Sequence, residues 1–347
     1  MLNVYLRVRG RLTLFVYRLV IDIVILIYIV FYFKYKKIRA KKVTVFILVH
    51  KRNFFLSLAS ILSINYYISG LNFVIVEADP LRKIQQFLYK KINKRIRFSH
   101  REIEQRIKEK IKKFKQLTDF FFSSGGKGKK FLISTLSEES KIIVLSDTCL
   151  FISKPRVIID WISSWSKNSY HLENSKNFSS LSLIEASDIL GYKPEISKLD
   201  SSLLCINTKK FWTDNSLKII ENYIGKTTNI IRNRLLFYPQ NLDNFVFADQ
   251  LFEKTLFCLT LSNSKSQVLK SIYLPYISHT LKNIKNTSTT FISYESSRDM
   301  YKYLFFSLLA YFKNYFKKRT LPHKAWFNYL KEYCPNCKHT RNNLKNK

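Results

Sequence analysis

Ser123-Ser-Gly-Gly-Lys-Gly-Lys-Lys130, the helix-like run Phe131–Ser140, and Lys141-Ile-Ile-Val-Leu-Ser-Asp147-Thr-Cys149-Leu-Phe151 together decide how the chain folds. A Gly-rich basic loop feeds a helix. The helix feeds a short apolar strand, and the strand delivers one Asp at its C-terminal end. Open α/β sheets bind ligands at such strand ends. Three of the chain's seven glycines lie in this loop, where backbone N–H groups at a helix start can approach an anion. A P-loop is excluded, because no Gly-Lys-Ser/Thr follows at the required spacing.

Upstream, Val43-Thr-Val-Phe-Ile-Leu-Val49 is a nearly continuous β-branched and apolar run, as expected of a strand buried on both faces. His50-Lys-Arg-Asn53 is its turn, and Phe54–Ile64 carries apolar residues at helical spacing. Leu71–Val76 is a second buried strand, ending in Glu77-Ala-Asp79-Pro80. Strand, turn, helix and strand make a βαβ unit, right-handed by default. Acidic residues at the end of its second strand are placed for ribose hydroxyls or a base edge. Leu81–Leu117 reads as basic surface helix.

Downstream, Trp161–Ser180 is Ser- and Asn-rich and reads as a loop or an insertion. Leu199–Asn207 is a further buried strand. Asn241–Gln250 opens a helix to Phe257, and Gln267–Tyr276 is a short strand leading to His279. Asp299–Phe316 is Phe/Tyr/Leu-rich, either a packed helix or one lying on a membrane.

The chain has 347 residues and a formal net charge of +35. Lys, Ile, Asn, Phe and Tyr dominate, so part of that charge reflects compositional bias. A charge of this size still draws a protein to anionic surfaces. No nucleic-acid-binding signature accompanies the basic runs, so a membrane-facing basic surface is the expectation and nucleic acid is not. Five cysteines at irregular spacing argue against a disulfide framework and fit a reducing compartment. Cys334-Pro-Asn-Cys337 with His339 is half of a zinc set and reads as a tail turn.

Leu14–Phe33 is an apolar run near the roughly 20 residues that span a bilayer. Arg18 and Asp22 interrupt it at a spacing that pairs them on one helix face. The basic excess lies on its C-terminal side, from Lys34 to Lys42, which puts the globular part in the cytoplasm whether the helix spans the membrane or lies on it. Three segments follow: 1–42, a membrane-associated helix with its basic flank; 43–285, the α/β domain; and 286–347, a basic helical extension.

Val43 to about Gln250 resembles the nucleotide-sugar glycosyltransferases of the GT-A fold, nearest to the large inverting family 2. The resemblance rests on the first strand with its His50–Asn53 turn, on Val74-Ile-Val-Glu77-Ala-Asp79, and on Gly126-Lys-Gly128 followed by a helix and Ile142–Phe151. Leu204–Trp212 and Asp249-Gln250 add to it. It implies a mostly parallel sheet flanked by helices. It also implies transfer of a sugar from a nucleotide-diphosphate donor to a lipid-linked or cell-surface polysaccharide acceptor. In this reading Glu77, Asp79, Gly126, Lys127, Gly128 and Asp147 hold the nucleotide, with Lys129 and Lys130 adding charge at the diphosphate. Asp249, with Asp243 second, is the base that takes the acceptor proton. Asp147 and His279 hold a divalent cation, Mg²⁺ or Mn²⁺. Cys149 departs from the family, because hard cations want oxygen where a thiol stands. It motivates an alternative, a catalytically degenerate nucleotide- or lipid-binding protein at the membrane.

Overall fold

The computed structural model describes residues 2–32, 43–68, 70–100, 102–122, 126–151, 154–164, 169–172, 181–196, 199–208, 216–234, 250–264, 266–269, 273–274 and 291–293. It also describes single positions between 297 and 308. Asp243, Asp249, His279 and the Cys334–Cys337 tail lie outside the described residues.

The frame is a seven-stranded mixed sheet flanked by helices, as the α/β reading expects. β1 (Thr44–Val49) sits between β2 (Asn72–Glu77) and β4 (Lys141–Leu145), parallel to both, and β3 (Arg97–Phe98) extends the parallel half. β1 is buried along its whole length, and β2 and β4 at every position but the first. Both sheet faces are therefore covered, which is why these strands read as unbroken apolar runs. β7 (Asp200–Asn207) runs antiparallel against β4, and β6 (Ser169–Leu172) antiparallel against β7. β8 (Ser266–Val268) joins β6 in parallel at the far edge. A small second sheet holds β5 (Cys149–Phe151), β10 (Phe291–Ser293) and β9 (Tyr273–Leu274). β10 comes from the stretch assigned by sequence to the C-terminal extension.

One apolar cluster covers one face, with α2 (Phe54–Tyr67), Tyr89 of α3 (Lys83–Ile92) and Trp161 of α7 (Arg156–Ser163). α1 (Leu2–Ile27) joins the same cluster through Ile21 and Ile25. The other cluster gathers α4 (Glu102–Ile111), α5 (Lys115–Phe121), α6 (Lys127–Thr135), α8 (Leu183–Leu190), α9 (Ser216–Arg234) and α10 (Gln250–Asn263). Glu221 of α9 accepts the Gln116 and Leu117 N–H groups at 2.9 and 2.8 Å, which satisfies donors that the start of α5 would otherwise leave open.

Two expectations are corrected. Trp161–Ser180 is not simply a loop: α7 ends in it, and Ser169–Leu172 forms β6. Its polar residues gave no strand signal, because the neighbouring strand supplies what holds it. Its Ser169 hydroxyl accepts the Asn207 N–H of β7 at 3.1 Å. The run Leu81–Leu117 is not one helix. It breaks at Asn93, whose side chain donates to the Leu71 carbonyl at 3.0 Å, and an edge strand follows.

Gly128 is explained by packing. A Cβ there would stand 1.8 Å from the Phe120 carbonyl oxygen, so α5 and α6 meet as they do only because position 128 has no side chain. We expect Gly128→Ala to lower stability by about 3 kcal/mol or more through overpacking in urea unfolding. Gly191→Ala meets no neighbour and suffers only its positive φ, at about 1 kcal/mol.

His171 of β6 is buried, its Nδ1 3.0 Å from the Ser266 hydroxyl, and burial pulls its pKa down to about 4. The unfolded chain binds that proton near pH 6.5 and the folded chain does not. The stability contributed by the neutral ring is therefore complete above pH 6.5 and lost as pH falls towards 4. Unfolding midpoints should drop over that window, and His171→Gln should flatten the drop.

Candidate functional site

The C-terminal ends of β1, β2 and β4 and the N-terminal end of β7 meet along one edge of the sheet. The pairing Leu145↔Leu203 and the Ser146 N–H to Ser202 carbonyl bond at 2.9 Å place Ser146-Asp147 beside Asp200-Ser-Ser202. The pairing Val49↔Glu77 places His50 beside Ala78, whose N–H donates to the Val49 carbonyl at 3.0 Å.

Asp147 is the buried carboxylate at the centre of this edge. Asn53 Nδ2 donates to its Oδ2 at 3.1 Å, and the main chain of His50 also hydrogen-bonds to it. Burial raises its pKa, while the Asn53 bond, His50 and the Lys130 charge act in the opposite sense. A carboxylate so desolvated gains more than a surface one from a hydroxyl donor or a cation brought beside it.

The backbone around Asp147 is held from behind by α2. Ser57, Ser60 and Ser63 stand three residues apart on its buried face. Ser60 Oγ lies 3.1 Å from the Asp147 carbonyl oxygen and 2.7 Å from that of Cys149, while Ser63 Oγ accepts the Phe151 N–H at 3.1 Å. Ser57 meets the Tyr89 hydroxyl. Serines at this spacing inside an otherwise apolar helix were the available signal for a helix that holds a neighbouring backbone.

Gly126 caps α6 with φ +71°. A Cβ on it would approach Leu48 Cδ1 at 2.9 Å and Ala78 Cα at 3.0 Å. The start of α6 is thus seated on the ends of β1 and β2, with half-buried Lys127 as its first residue. Helix starts carry partial positive charge.

The basic residues that follow have other partners. Lys129 pairs with Glu104 at 3.1 Å. Lys130 is buried, 2.8 Å from Glu253 on the first turn of α10 and 3.3 Å from the Ser201 carbonyl. Lys129 and Lys130, expected beside a diphosphate, are thus each paired with an acid of the domain.

Glu77 is buried and engaged within the chain. Its Oε1 accepts the Leu81 N–H at 3.0 Å, and its Oε2 meets His100 Nδ1. It braces the bend after β2, and Asp79 is the exposed acid of the pair. Asp200, which sequence reasoning passed over, adds a further buried carboxylate, its Oδ1 accepting from the Ser202 N–H at 2.8 Å and hydroxyl at 2.5 Å.

Cys149 belongs to the core. Its Sγ lies 2.9 Å from the Ser146 carbonyl oxygen, and burial pushes the thiol well above its ordinary value. Neither property suits a ligand for a hard cation. Among the described residues no group of three or more His, Cys, Asp or Glu side chains is disposed to hold a metal ion. They contribute Asp147 and do not by themselves build a cation cage.

No protein-family model and no curated protein sequence matches the chain. Several solved structures are similar in shape. Mouse xyloside xylosyltransferase 1 in its apo form is 9% identical, matched over 69% of this chain and 88% of that one, with a TM-score of 0.42. The apo structure of the bifunctional glycosyltransferase WbbM is 10% identical over 77% of this chain and 50% of that one, with a TM-score of 0.43. The galactosyltransferase LgtC in complex with donor and acceptor sugar analogs is 11% identical over 81% of this chain and 98% of that one, with a TM-score of 0.37. These likenesses do not single out the family 2 pattern or an inverting mechanism.

The Lys130–Glu253 pair ties α6 to α10 directly behind the site. We expect Lys130→Met to cost about 3–5 kcal/mol by leaving a buried carboxylate uncompensated. The double variant Lys130→Met with Glu253→Leu should recover most of that loss in a double-mutant cycle.

Proposed function

We propose that the chain is a glycosyltransferase that moves a sugar from a nucleotide-diphosphate donor to a lipid-linked or cell-surface polysaccharide acceptor, working at the cytoplasmic face of a membrane. The observation that carries this reading is the convergence on one sheet edge of the buried Asp147 carboxylate, the exposed Asp79 and the Gly126-capped start of α6. An acid at the end of β2 suits the ribose or base. A helix start with Lys127 suits the diphosphate. Asp147, between them, suits the junction of nucleotide and sugar.

The division of labour follows from the chemistry. Departure of a nucleoside diphosphate leaves negative charge on its terminal phosphate, and positive groups fixed near that phosphate lower the barrier. The α6 start and Lys127 take that role. The acceptor hydroxyl must lose a proton as it attacks, and we assign this to Asp249, with Asp243 second, in a single displacement that inverts the sugar carbon. The resemblance implies Mg²⁺ or Mn²⁺ as an aid to the leaving group, with Asp147 and His279 as protein ligands.

The test is release of nucleoside diphosphate from a panel of UDP- and GDP-sugars, with and without Mn²⁺, by the purified chain and by Asp147→Asn. We expect the substitution to preserve the fold and to lower turnover by at least about 100-fold. Undiminished turnover would remove Asp147 from the site. Calorimetric binding of the nucleotide without turnover on any donor would favour the degenerate alternative.

A further inference from the structure

α1 is apolar on two faces, and among the described residues the domain packs against one of them. Ile21 and Ile25, with Ile29 on the π-turn Tyr28–Tyr32, recur every fourth residue and are fully buried in the apolar cluster that α2 shares. On the flank, Arg18 donates to the Arg52 carbonyl at 2.9 Å and lies 3.6 Å from Asp22, which accepts the Tyr301 hydroxyl at 2.9 Å. Tyr17 stacks on Phe305 with ring centroids 4.3 Å apart. Burial lifts the Asp22 carboxyl to about 6.

The outer face carries Leu12, Phe15, Leu19, Ile23, Leu26 and Val30, all exposed, Leu12 by 64%. Steps of three and four residues place them on one stripe of the helix. α3, which packs against the π-turn, exposes Ile84 and Phe87 by 61% and 58%, between the exposed Lys83 and Lys91. In sequence, Lys34, Lys36, Lys37, Arg39, Lys41 and Lys42 follow the helix closely.

The window Arg11–Val30 has a mean hydropathy of 2.3 and is long enough to cross a bilayer. Crossing would pull Ile21, Ile25 and Ile29 from the core and set Arg18 and Asp22 in the hydrocarbon, away from Arg52 and Tyr301. A charged pair at mid-membrane without such partners is disfavoured. A helix lying flat keeps every one of these contacts and still buries the outer stripe.

We infer that α1 lies in the plane of an anionic lipid bilayer, its Leu12–Val30 stripe in the headgroup–acyl boundary and its Ile21–Ile29 face on the domain, so that both of its ends stay on the same side of the membrane. The occupant of the stripe is lipid: the patch is apolar, its surroundings are basic, and an anionic surface complements both. This inference stands without the glycosyltransferase reading. Joined to it, the geometry acquires a use. Arg52, which holds Arg18, directly precedes Asn53, which holds Asp147, so one turn links the membrane-lying helix to the sheet edge where a lipid-linked acceptor would arrive.

The full chain is tested against vesicles of phosphatidylcholine alone and of phosphatidylcholine with 3:1 phosphatidylglycerol, a ratio of about one anionic lipid in four, as suits a surface-charge comparison. We expect flotation with the anionic vesicles to be at least about tenfold stronger, weakening in high salt as charge is screened. The triple variant Phe15→Glu, Leu19→Glu, Ile23→Glu alters only outward positions. It should lose vesicle binding while keeping its unfolding midpoint and its nucleotide binding, and that retained binding separates this test from that of Asp147. Tags at the two ends of residues 1–42 should be cleaved together by protease added to inside-out vesicles. Protection of the N-terminal tag alone would overturn the inference in favour of a spanning helix. Undiminished vesicle binding by the triple variant would also overturn it, as would a change from dimer to monomer with binding unaltered, which would assign the stripe to a second copy of the chain.

Discussion

A single buried carboxylate has to be kept in place, and much of the domain does so. Asp147 lies at the end of the central strand β4, shielded from water and hydrogen-bonded by Asn53 from the turn after β1. Without such partners a charge at that depth would be costly. The Ser60 and Ser63 hydroxyls hold the backbone on either side of Cys149, and the register with β7 brings Asp200 and Ser202 alongside. Turn, helix and antiparallel strand thus come from distant parts of the chain and close around one oxygen-bearing group.

The same arrangement accounts for Cys149. Seen from the chemistry alone, a thiol two residues after Asp147 looks like a lost ligand. In the fold that position starts β5, turns into the core and pairs through its backbone with Ser293. The residue there is constrained by packing. Among the described residues this end of the sheet offers the Asp147 carboxylate after β4, the Asp200 carboxylate at the start of β7, and the start of α6 on the ends of β1 and β2.

Much of the frame was legible in the residues. The runs at 43–49, 71–76 and 141–145 are β-branched and continuous because both faces of a central parallel sheet are covered, so their burial leaves a strong local mark. Gly126 was legible as a site for an unusual backbone, and its left-handed conformation is required where α6 begins on top of Ala78. At Gly128 the fold adds a packing requirement that the sequence did not show, since a glycine demanded by a ligand and one demanded by a helix contact look alike in sequence. β6 and the β3 edge strand left almost no mark, because a short polar strand is stabilised by its neighbour's hydrogen bonds rather than by its own side chains.

What the sequence determined by itself was the local and periodic part: the runs that form the central strands, that an acid ends β2 and another ends β4, and that residues 14–33 are apolar enough to seek lipid. These follow from side-chain chemistry repeated at 2- or 3.6-residue intervals. Only the tertiary structure decided partnership. It gave Lys129 and Lys130 to Glu104 and Glu253, closed Glu77 between Leu81 and His100, left Asp79 exposed, and docked one face of α1 on the domain. A charge or an apolar face states in sequence only that it needs a partner. Which partner it receives depends on chain segments tens to hundreds of residues away, brought together by the packing of the sheet.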